Sequence, residues 1–331
     1  MAGQKEAAAD LLCQILADTQ FDDVALLKNL LNQTMMQLQM RFVGAGHQYA
    51  FTRAASMLSC SGAADERMSG SSYIAWIKEQ CAADDVALTA LGQKLAQIAK
   101  KIFVRGRMTV SVSENAGTLL EKVMMAFPEG TAASAMVVEA EGVDQLGLPI
   151  PAAVGFASKA AKLSGKYSGS TYVLANVLNY SYLWNEIRVQ GGAYGCGFSG
   201  RDNGDLVYYT YRDPQPCRSL GIFDKAPEFI REFCAADPDL TPMILGAMAS
   251  ADPLLNAQRK IGVAEMRFFK GTTYEDVCRI RQELIGTSKE DILAMAAELE
   301  RIAETNAVCV VAGQPLLDAC GDGLQKIIPI L

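Results

Sequence analysis

The sequence repeats itself at long range, and this repeat limits the folds that the chain can adopt. Compared with itself 147 positions further along, the chain aligns without a gap through a helix and the loop that follows it. The aligned pairs are Leu31 and Asn32 with Leu178 and Asn179, Arg41 with Arg188, Gly44 with Gly191, His47 with Tyr194, and Phe51 with Phe198. A second match, at an offset of 204, joins residues 95–101 to 299–305. Two matches in the same order indicate a duplicated module.

Each copy of the module alternates helical and β-like patterns. The helical spacing of apolar residues predicts helices at 5–18, 22–42, 86–103, 115–127, 170–189, 219–234, 255–269, 273–284 and 288–304. The β-like runs are 108–112, 152–157, 205–212 and 307–312. Since runs of helices separate the strands, the fold class is predicted as α+β, with two tandem modules that each pack helices on one face of an antiparallel sheet.

A boundary between the modules is predicted near the middle of the chain. Residues 141–151 mix acidic residues with Gly142, Gly147, Pro149 and Pro151, which is typical of a linker. We therefore expect one domain at 1–142 and a second at 143–331. The first domain is expected to be incomplete at its start, because it has no counterpart of the strand at 152–157.

Composition and charge limit the kinds of partner that the chain is expected to bind and the compartment in which it is expected to lie. The chain has 331 residues, half of them apolar, and a formal charge of −7, which argues against nucleic acid or an anionic membrane as the main partner. No segment approaches the length of a membrane span, and the first ten residues lack the apolar core of a secretory signal. These features predict a cytoplasmic protein.

The cysteines and the single histidine restrict the chemistry. Nine cysteines are present, an odd number, and no two have C-x-x-C spacing, so free thiols in a reducing compartment are expected. His47 is the only histidine. This chain alone is therefore predicted to bind no metal or other cofactor and to carry no Ser-His-Asp triad.

The segment from Tyr182 to Pro214 contains the residues that are the best candidates for catalysis or binding. A predicted helix ends near Val189 and is followed by Gly191 and Gly192. Arg188 lies at the helix end and Tyr194 six residues later, and a guanidinium beside a phenol can donate hydrogen bonds to a carbonyl oxygen or an oxyanion.

Purely structural roles for the same residues remain open. The glycines are also typical of a helix C-cap and a strand start, and Arg188 has Glu186 and Asp202 nearby as candidate ion-pair partners. A dinucleotide-binding loop is excluded, because these glycines follow a helix and precede a strand.

The motif R-V-Q-G-G-A-Y-G at 188–195, with Y-R-D-P at 211–214, resembles the fourth domain of the pitrilysin and insulinase-type zinc metallopeptidases. The branch it resembles is that of presequence protease and falcilysin. Residues 1–140 resemble most of the third domain and 147–331 the fourth. The resemblance implies two αβ-roll modules, which agrees with the repeat.

The resemblance also implies a site and a partner. In this family an amino-terminal half binds zinc through H-x-x-E-H, and the carboxyl-terminal half closes over an unfolded peptide. By this resemblance Arg188 and Tyr194 hydrogen-bond the scissile carbonyl, and Gly191, Gly192 and Ala193 contact substrate. This sequence contains no H-x-x-E-H, so zinc is expected in a separate amino-terminal half and the chain alone is expected to be inactive.

Two other functions stay open at this level. The chain could be a non-catalytic peptide-binding subunit of a processing-peptidase-like heteromer, or a scaffold on the same fold. His47 is expected to be structural, and Cys196, beside the glycine loop, is expected to be a small buried residue rather than a redox switch.

Overall fold

The computed structural model describes residues 2–112, 117–132 and 137–331. Its chain forms two compact units, each discontinuous in sequence. Unit 1 comprises the described residues of Met1–Met35, Ile77–Met136 and Leu254–Thr272, and unit 2 those of Met36–Trp76, Val137–Pro253 and Thr273–Leu331. The predicted linear boundary after residue 142 stays a prediction.

The described helices are numbered in chain order. The first seven are α1 (Ala2–Asp18), α2 (Val24–Gly44), α3 (Gly46–Ser56), α4 (Cys60–Ser69), α5 (Ser71–Cys81), α6 (Asp85–Ile102) and α7 (Gly117–Met125). The later ones are α8 (Ser170–Asn176), α9 (Pro216–Asp224), α10 (Ala226–Ala235), α11 (Thr241–Ala251), α12 (Ala257–Lys270), α13 (Tyr274–Ile285), α14 (Lys289–Ala294), α15 (Ala296–Thr305) and α16 (Gln314–Asp318). A π-helix, Val177–Val189, continues α8, and short 3₁₀ turns occupy Arg105–Arg107 and Gly321–Gly323.

The described part of unit 1 is helical. Its predicted strand at 108–112 belongs to no helix or strand, and so the sheet expected in the first module is not found among the described residues. The predicted helix 115–127 corresponds to α7, although residues 115 and 116 lie outside the described residues. A short β-prone run needs a neighbouring strand to hold it, and sequence pattern alone does not supply one.

A six-stranded sheet forms the centre of unit 2. Its strands are β1 (Gln145–Pro149), β2 (Phe156–Lys162), β3 (Gly195–Gly200), β4 (Asp205–Tyr211), β5 (Ala307–Ala312) and β6 (Lys326–Ile327), in the spatial order β3-β4-β2-β5-β1-β6. β2 pairs antiparallel with β4 and β5, and β3 pairs antiparallel with β4. β1 pairs parallel with β5 and β6, so the sheet is mixed rather than wholly antiparallel. The α+β class is confirmed.

The segment predicted as a linker contains a buried strand. In β1 the side chains of Leu146 and Leu148 are both 1% exposed. Gly147 and Pro149 suggested a linker because both residues usually interrupt regular structure. Here Pro149 is the last residue of the strand, and the linker prediction is wrong for 145–149. The strand predicted at 152–157 is also displaced, since β2 begins at Phe156.

Helices cover both faces of the sheet, not one. On one face the π-helix and the helices that follow it pack onto Tyr208 and Phe198, within a core that includes Leu178, Leu183 and Ile187. On the other face α3 brings His47 against Phe156 of β2 and Tyr211 of β4. The sequence patterns predict no element for residues 46–81, so the second layer was not expected.

Two cysteines are joined, contrary to the prediction that all thiols are free. Cys217 in the first turn of α9 and Cys320 after α16 form a disulfide, with their Cα atoms 5.2 Å apart. They are 103 residues apart in sequence, so only the packing of α16 beside α9 brings them together. The other cysteines are free.

Across the part of the chain that the structure describes, no helix combines the length and apolar character needed to cross a bilayer. The cytoplasmic location stays a prediction.

Candidate functional site

The candidate site begins with an unusual helix. After α8 the hydrogen-bonding pattern widens, and Val177–Val189 is a π-helix that ends when the N–H of Gln190 donates to the carbonyl of Asn185. π-helical turns are rare and are often found at functional sites. Leu183 and Ile187 are fully buried on its inner side, which anchors the helix to the sheet. Arg188, half-buried, is thereby held on a rigid element one residue before the helix end.

The glycine loop turns the chain sharply from the π-helix into β3. The N–H of Gly192 donates to the carbonyl of Arg188 (3.1 Å), and the N–H of Ala193 donates to that of Ile187 (3.1 Å). Gly192 has φ +78°, a left-handed conformation that favours glycine. A Cβ on Gly191 would lie 2.5 Å from the carbonyl oxygen of Ile187, so a side chain does not fit there. The C-cap interpretation is therefore correct, and it is compatible with a functional role.

The predicted substrate contacts differ in accessibility. Gly191 and Ala193 are buried, whereas Gly192 is exposed, and the N–H groups of Gly192 and Ala193 both donate within the loop. Contact of these three residues with substrate stays a prediction, and Gly192 is the member with accessible backbone.

Tyr194 projects from the loop into solvent. Its side chain is 68% exposed, and its ring packs edge-to-face against the ring of Tyr211, with centroids 5.7 Å apart. Its N–H donates to the carbonyl of Arg212 (3.3 Å). The end of β4 therefore contacts one side of the Tyr194 ring, and most of the side chain stays open to solvent.

The structure brings Arg188 and Tyr194 together. The guanidinium carbon of Arg188 lies 5.8 Å from the centroid of the Tyr194 ring and 4.0 Å from that of Trp184. Stacking occupies a face of the guanidinium, so its in-plane N–H donors stay available. Nothing in the described structure pairs Arg188 with Glu186, whose carboxylate accepts from the side chain of Gln190 (2.9 Å). Arg188 contacts aromatic rings and does not form the ion pair with Glu186 that was considered from sequence.

The Y-R-D-P motif forms the other wall of the loop. Arg212 adopts a left-handed conformation, φ 48°. Asp213 is 1% exposed, and its carboxylate accepts from the N–H of Gln215 (2.8 Å) and the hydroxyl of Ser219 (2.6 Å). Its backbone exchanges two hydrogen bonds with Gly155. Burial raises the pKa of the Asp213 carboxyl despite these hydrogen bonds. The motif therefore joins β4, β2 and α9, which explains its presence beside the loop.

His47 lies beneath the site but not in a metal centre. Its ring packs edge-to-face against Tyr211, with centroids 4.7 Å apart, and its buried Nδ1 has no hydrogen-bond partner in the described structure. Burial lowers the pKa of His47. Within the described residues no group of three or more His, Cys, Asp or Glu side chains is placed to hold a metal ion. With one histidine in the whole sequence, these residues do not fit a catalytic zinc site.

Cys196, the other residue of this region singled out from sequence, points inward. Its thiol donates to the carbonyl of Leu183 (3.2 Å), and burial raises the pKa of the thiol to about 11, with Asp213 adding to the rise and Arg188 opposing it. A thiol with such a pKa is protonated at neutral pH and is a poor nucleophile. The geometry favours a packing role.

Sequence reasoning missed Trp184, Tyr211 and Asp213 as parts of the site. Trp184 stands four residues before Arg188, a spacing that places two side chains on the same side of a helix. That spacing was a usable signal for Trp184. The contact of Tyr211 with Tyr194 follows from β3–β4 register and has no local signal.

Comparison with known protein families covers the segment that carries these residues. Residues 146–314, which include the whole site apart from His47, match the family described as PreP C-terminal domain. The chain belongs to this family. Residues 1–79 match a second family, described as associated with the M16 peptidases of subfamily C. The chain thus corresponds to the C-terminal half of a presequence-protease-like M16 peptidase.

Curated relatives extend the similarity to nearly the whole chain. Presequence protease 1, chloroplastic/mitochondrial, of Arabidopsis thaliana is 26% identical over 334 residues, which cover 97% of this chain and 31% of that protein. Protein HypA of Clostridium perfringens is 26% identical over 340 residues, covering 100% of this chain and 35% of that protein. The chain therefore spans about a third of the length of these relatives.

Solved structures share the fold at low sequence identity. A peptidase M16 inactive domain from Pseudomonas fluorescens matches with a TM-score of 0.60 at 13% identity, covering 92% of this chain and 74% of that chain. Pitrilysin matches with a TM-score of 0.59 at 13% identity, covering 93% of this chain and 33% of that chain. At such identity these likenesses concern the fold alone.

Proposed function

We propose that this chain is the carboxyl-terminal half of a zinc-dependent endopeptidase that degrades unfolded peptides in a closed chamber. The observation that supports the proposal most is the proximity of the half-buried Arg188 and the exposed Tyr194 at the end of a helix whose inner side is buried. The similarity to proteins named presequence protease supports the substrate class, a peptide.

Arg188 and Tyr194 act on the carbonyl of the bond to be cleaved. The in-plane N–H groups of Arg188 and the hydroxyl of Tyr194 donate to its oxygen, and these hydrogen bonds strengthen as negative charge develops there. Because Trp184 and Tyr211 hold the two side chains before substrate arrives, little reorganisation is needed during the reaction. This is electrostatic stabilisation of the oxyanion, and it needs no titration of either donor.

The rest of the catalytic machinery belongs to a partner. The described residues of this chain do not fit a zinc site, so zinc and the general base are assigned to an amino-terminal half that carries H-x-x-E-H. That half is either part of the same polypeptide or a separate subunit. The chain spans about a third of its relatives, which leaves room in such proteins for the second half.

The test is reconstitution with an amino-terminal H-x-x-E-H half and cleavage of a quenched, unstructured peptide. We expect this chain alone to contain no stoichiometric zinc and to be silent, and the mixture to cleave. Arg188→Ala and Tyr194→Phe should each lower kcat by about 10²–10³-fold, with a smaller effect on KM.

Two matched control variants distinguish a specific effect at Arg188 and Tyr194 from a general loss of structure. Arg201, stacked over Phe51 at 4.2 Å, offers Arg201→Ala as the loss of an arginine on an aromatic ring elsewhere in unit 2. Tyr274, 70% exposed, offers Tyr274→Phe. Both should cleave at the unmodified rate. A wild-type rate from the Arg188→Ala, Tyr194→Phe double variant would overturn the proposed role and favour a non-catalytic peptide-binding subunit.

A further inference from the structure

A side chain from the first turn of α9 extends to the end of the π-helix. Nη1 of Arg218 donates a hydrogen bond to the carbonyl oxygen of Glu186 (3.1 Å), two residues before Arg188. The same Nη1 also lies against the glycine loop, since a Cβ on Gly191 would be only 2.9 Å from it. One guanidinium therefore contacts both the helix that carries Arg188 and the loop that leads to Tyr194.

The last carbonyl groups of the π-helix show what this contact supplies. The final carbonyls of a helix have no partner within it. Three of them accept from N–H groups that follow in the chain: the acceptors are the carbonyls of Asn185, Ile187 and Arg188, and the respective donors are the N–H groups of Gln190, Ala193 and Gly192. In the described structure the carbonyl of Glu186 accepts from Arg218, and no N–H group of the loop donates to it. Arg218 therefore completes the cap, and its positive charge is favourable at a helix C-terminus.

The backbone of Arg218 is held by the turn that follows β4. Pro216 is the first residue of α9 and is buried, and the hydroxyl of Ser219 donates to the carboxylate of Asp213 (2.6 Å). Burial raises the pKa of that carboxyl, and the positive charge of Arg218 is among the effects that oppose the rise. Arg218 thus connects the Y-R-D-P turn to the end of the π-helix.

We propose that Arg218 is a positioning residue for the Arg188–Tyr194 pair. By binding the carbonyl of Glu186 and lying against Gly191, it fixes the last turn of the π-helix relative to the glycine loop. It thereby fixes the distance between the guanidinium of Arg188 and the phenol of Tyr194. It acts through the helix end and makes no hydrogen bond to the substrate. The catalytic consequence rests on the proposed function, whereas the effect on Arg188 can be measured in this chain alone.

The first test follows the position of Arg188 in the full chain without chemistry. The chain contains two tryptophans, so Trp76→Phe leaves Trp184 as the single emitter. The guanidinium carbon of Arg188 lies 4.0 Å from the centroid of the Trp184 ring and covers part of it. We expect Arg218→Ala to make the emission of Trp184 easier to quench with acrylamide, which shifts the quenching constant towards that of an Arg188→Ala variant. Arg218→Lys, which keeps a cationic donor, should restore most of the parental value.

The second test measures cleavage by the reconstituted enzyme. Arg218→Ala should lower kcat about 10-fold with little change in KM, because the donors are displaced while the peptide still binds. Arg218→Lys should recover most of this loss. In an Arg188→Ala background, Arg218→Ala should change kcat by less than about 2-fold, since the donor that Arg218 positions is absent. Arg231→Ala is the matched control, because it removes an exposed arginine of unit 2 that pairs with Glu300, and it should leave both readouts unchanged.

The outcomes separate this inference from the proposed function. It is overturned if Arg218→Ala leaves the quenching of Trp184 at the parental value, if Arg231→Ala produces the same shift, or if Arg218→Lys restores nothing. It is also overturned if Arg218→Ala keeps the unmodified kcat while Arg188→Ala is impaired. Losses from these two variants that multiply would show that Arg218 acts independently of Arg188, which likewise overturns it.

Failure of the proposed function has a different signature. If the quenching of Trp184 behaves as expected but the Arg188→Ala, Tyr194→Phe double variant of the reconstituted enzyme cleaves normally, the positioning of Arg188 by Arg218 stands and the proposed catalytic role fails.

Discussion

The backbone N–H of Tyr194 donates a hydrogen bond to the carbonyl oxygen of Arg212, 3.3 Å away. This contact joins the glycine loop to the turn after β4, so the position of the exposed phenol depends on two left-handed residues, Gly192 and Arg212. Disturbing either turn should therefore change stability and move the donor pair apart.

Replacing Gly192 tests the loop side of this relationship. The nearest atom to a Cβ there is Cγ of Pro214 at 3.6 Å, so space is sufficient, but φ +78° is unfavourable for an L side chain. We expect Gly192→Ala to lower the free energy of unfolding by about 1–2 kcal/mol, measured by denaturant titration. Gly221 in α9 also has open space and is absent from the positive-φ residues. Gly221→Ala should be neutral or stabilising, and equal losses from the two variants would contradict the explanation.

Asp213 tests the turn side. Asp213→Ala leaves the N–H of Gln215 and the hydroxyl of Ser219 without their acceptor, and should cost about 1–3 kcal/mol of unfolding free energy, measured by denaturant titration. Asp213→Asn, which keeps an acceptor oxygen, should cost less.

The pH dependence of the same residue has a definite sign. Burial raises the pKa of Asp213 above its ordinary 3.8. Between pH 3.8 and the raised pKa, the folded state therefore binds more protons than the unfolded state. Its contribution to stability is present below pH 3.8 and is lost as pH rises through the raised pKa. Denaturant titrations from about pH 3.5 to about pH 7 should show this fall in the unmodified chain relative to Asp213→Asn. An identical pH dependence in both would refute it.

His47 can be followed directly, since it is the only histidine. Burial lowers its pKa, so the folded state favours the neutral ring. An NMR titration of the imidazole should give a midpoint below 6.5, the ordinary value. Between the two values the unfolded chain binds more protons, so stability falls as pH falls below 6.5. His47→Phe should abolish this component, and a midpoint at or above 6.5 in the folded chain would show that the ring is not desolvated.

The disulfide gives a redox-dependent stability. Cys217 and Cys320 close a loop spanning 103 residues, and such a cross-link restricts the unfolded chain. We expect reductant to lower the free energy of unfolding by about 2–4 kcal/mol. The Cys217→Ser, Cys320→Ser double variant should start at the lower value and be insensitive to reductant. If the unmodified chain is equally insensitive, the two thiols are not joined in solution.

Local sequence pattern predicted the elements that carry the site. The helix expected at 170–189 corresponds to α8 followed by the π-helix, and the strands expected at 205–212 and 307–312 correspond to β4 and β5. The helix has apolar residues at helical spacing, the two strands are short apolar or aromatic runs, and clear glycine or Asp-Pro stops follow the first two segments. The π-helical register was not predicted, because the prediction used the α-helical spacing of i+3 and i+4, whereas the buried residues Leu178 and Leu183 stand five apart.

The surroundings of Arg188 show most clearly which features follow from the order of residues in the chain and which follow from tertiary contacts. Its place at a helix end, six residues before Tyr194 and beside a glycine turn, is a matter of covalent order, and this order together with the family resemblance made both residues candidates. Other features are contacts of the folded chain: Arg188 lies over Trp184, Tyr211 packs against Tyr194, and Cys217 is bonded to Cys320. The last two contacts follow from strand register and helix packing between segments distant in sequence, whereas the contact of Arg188 with Trp184 lies within one helix. The local spacing of residues indicates conformational preference and solvent exposure. It does not indicate which residues from distant segments a side chain will contact.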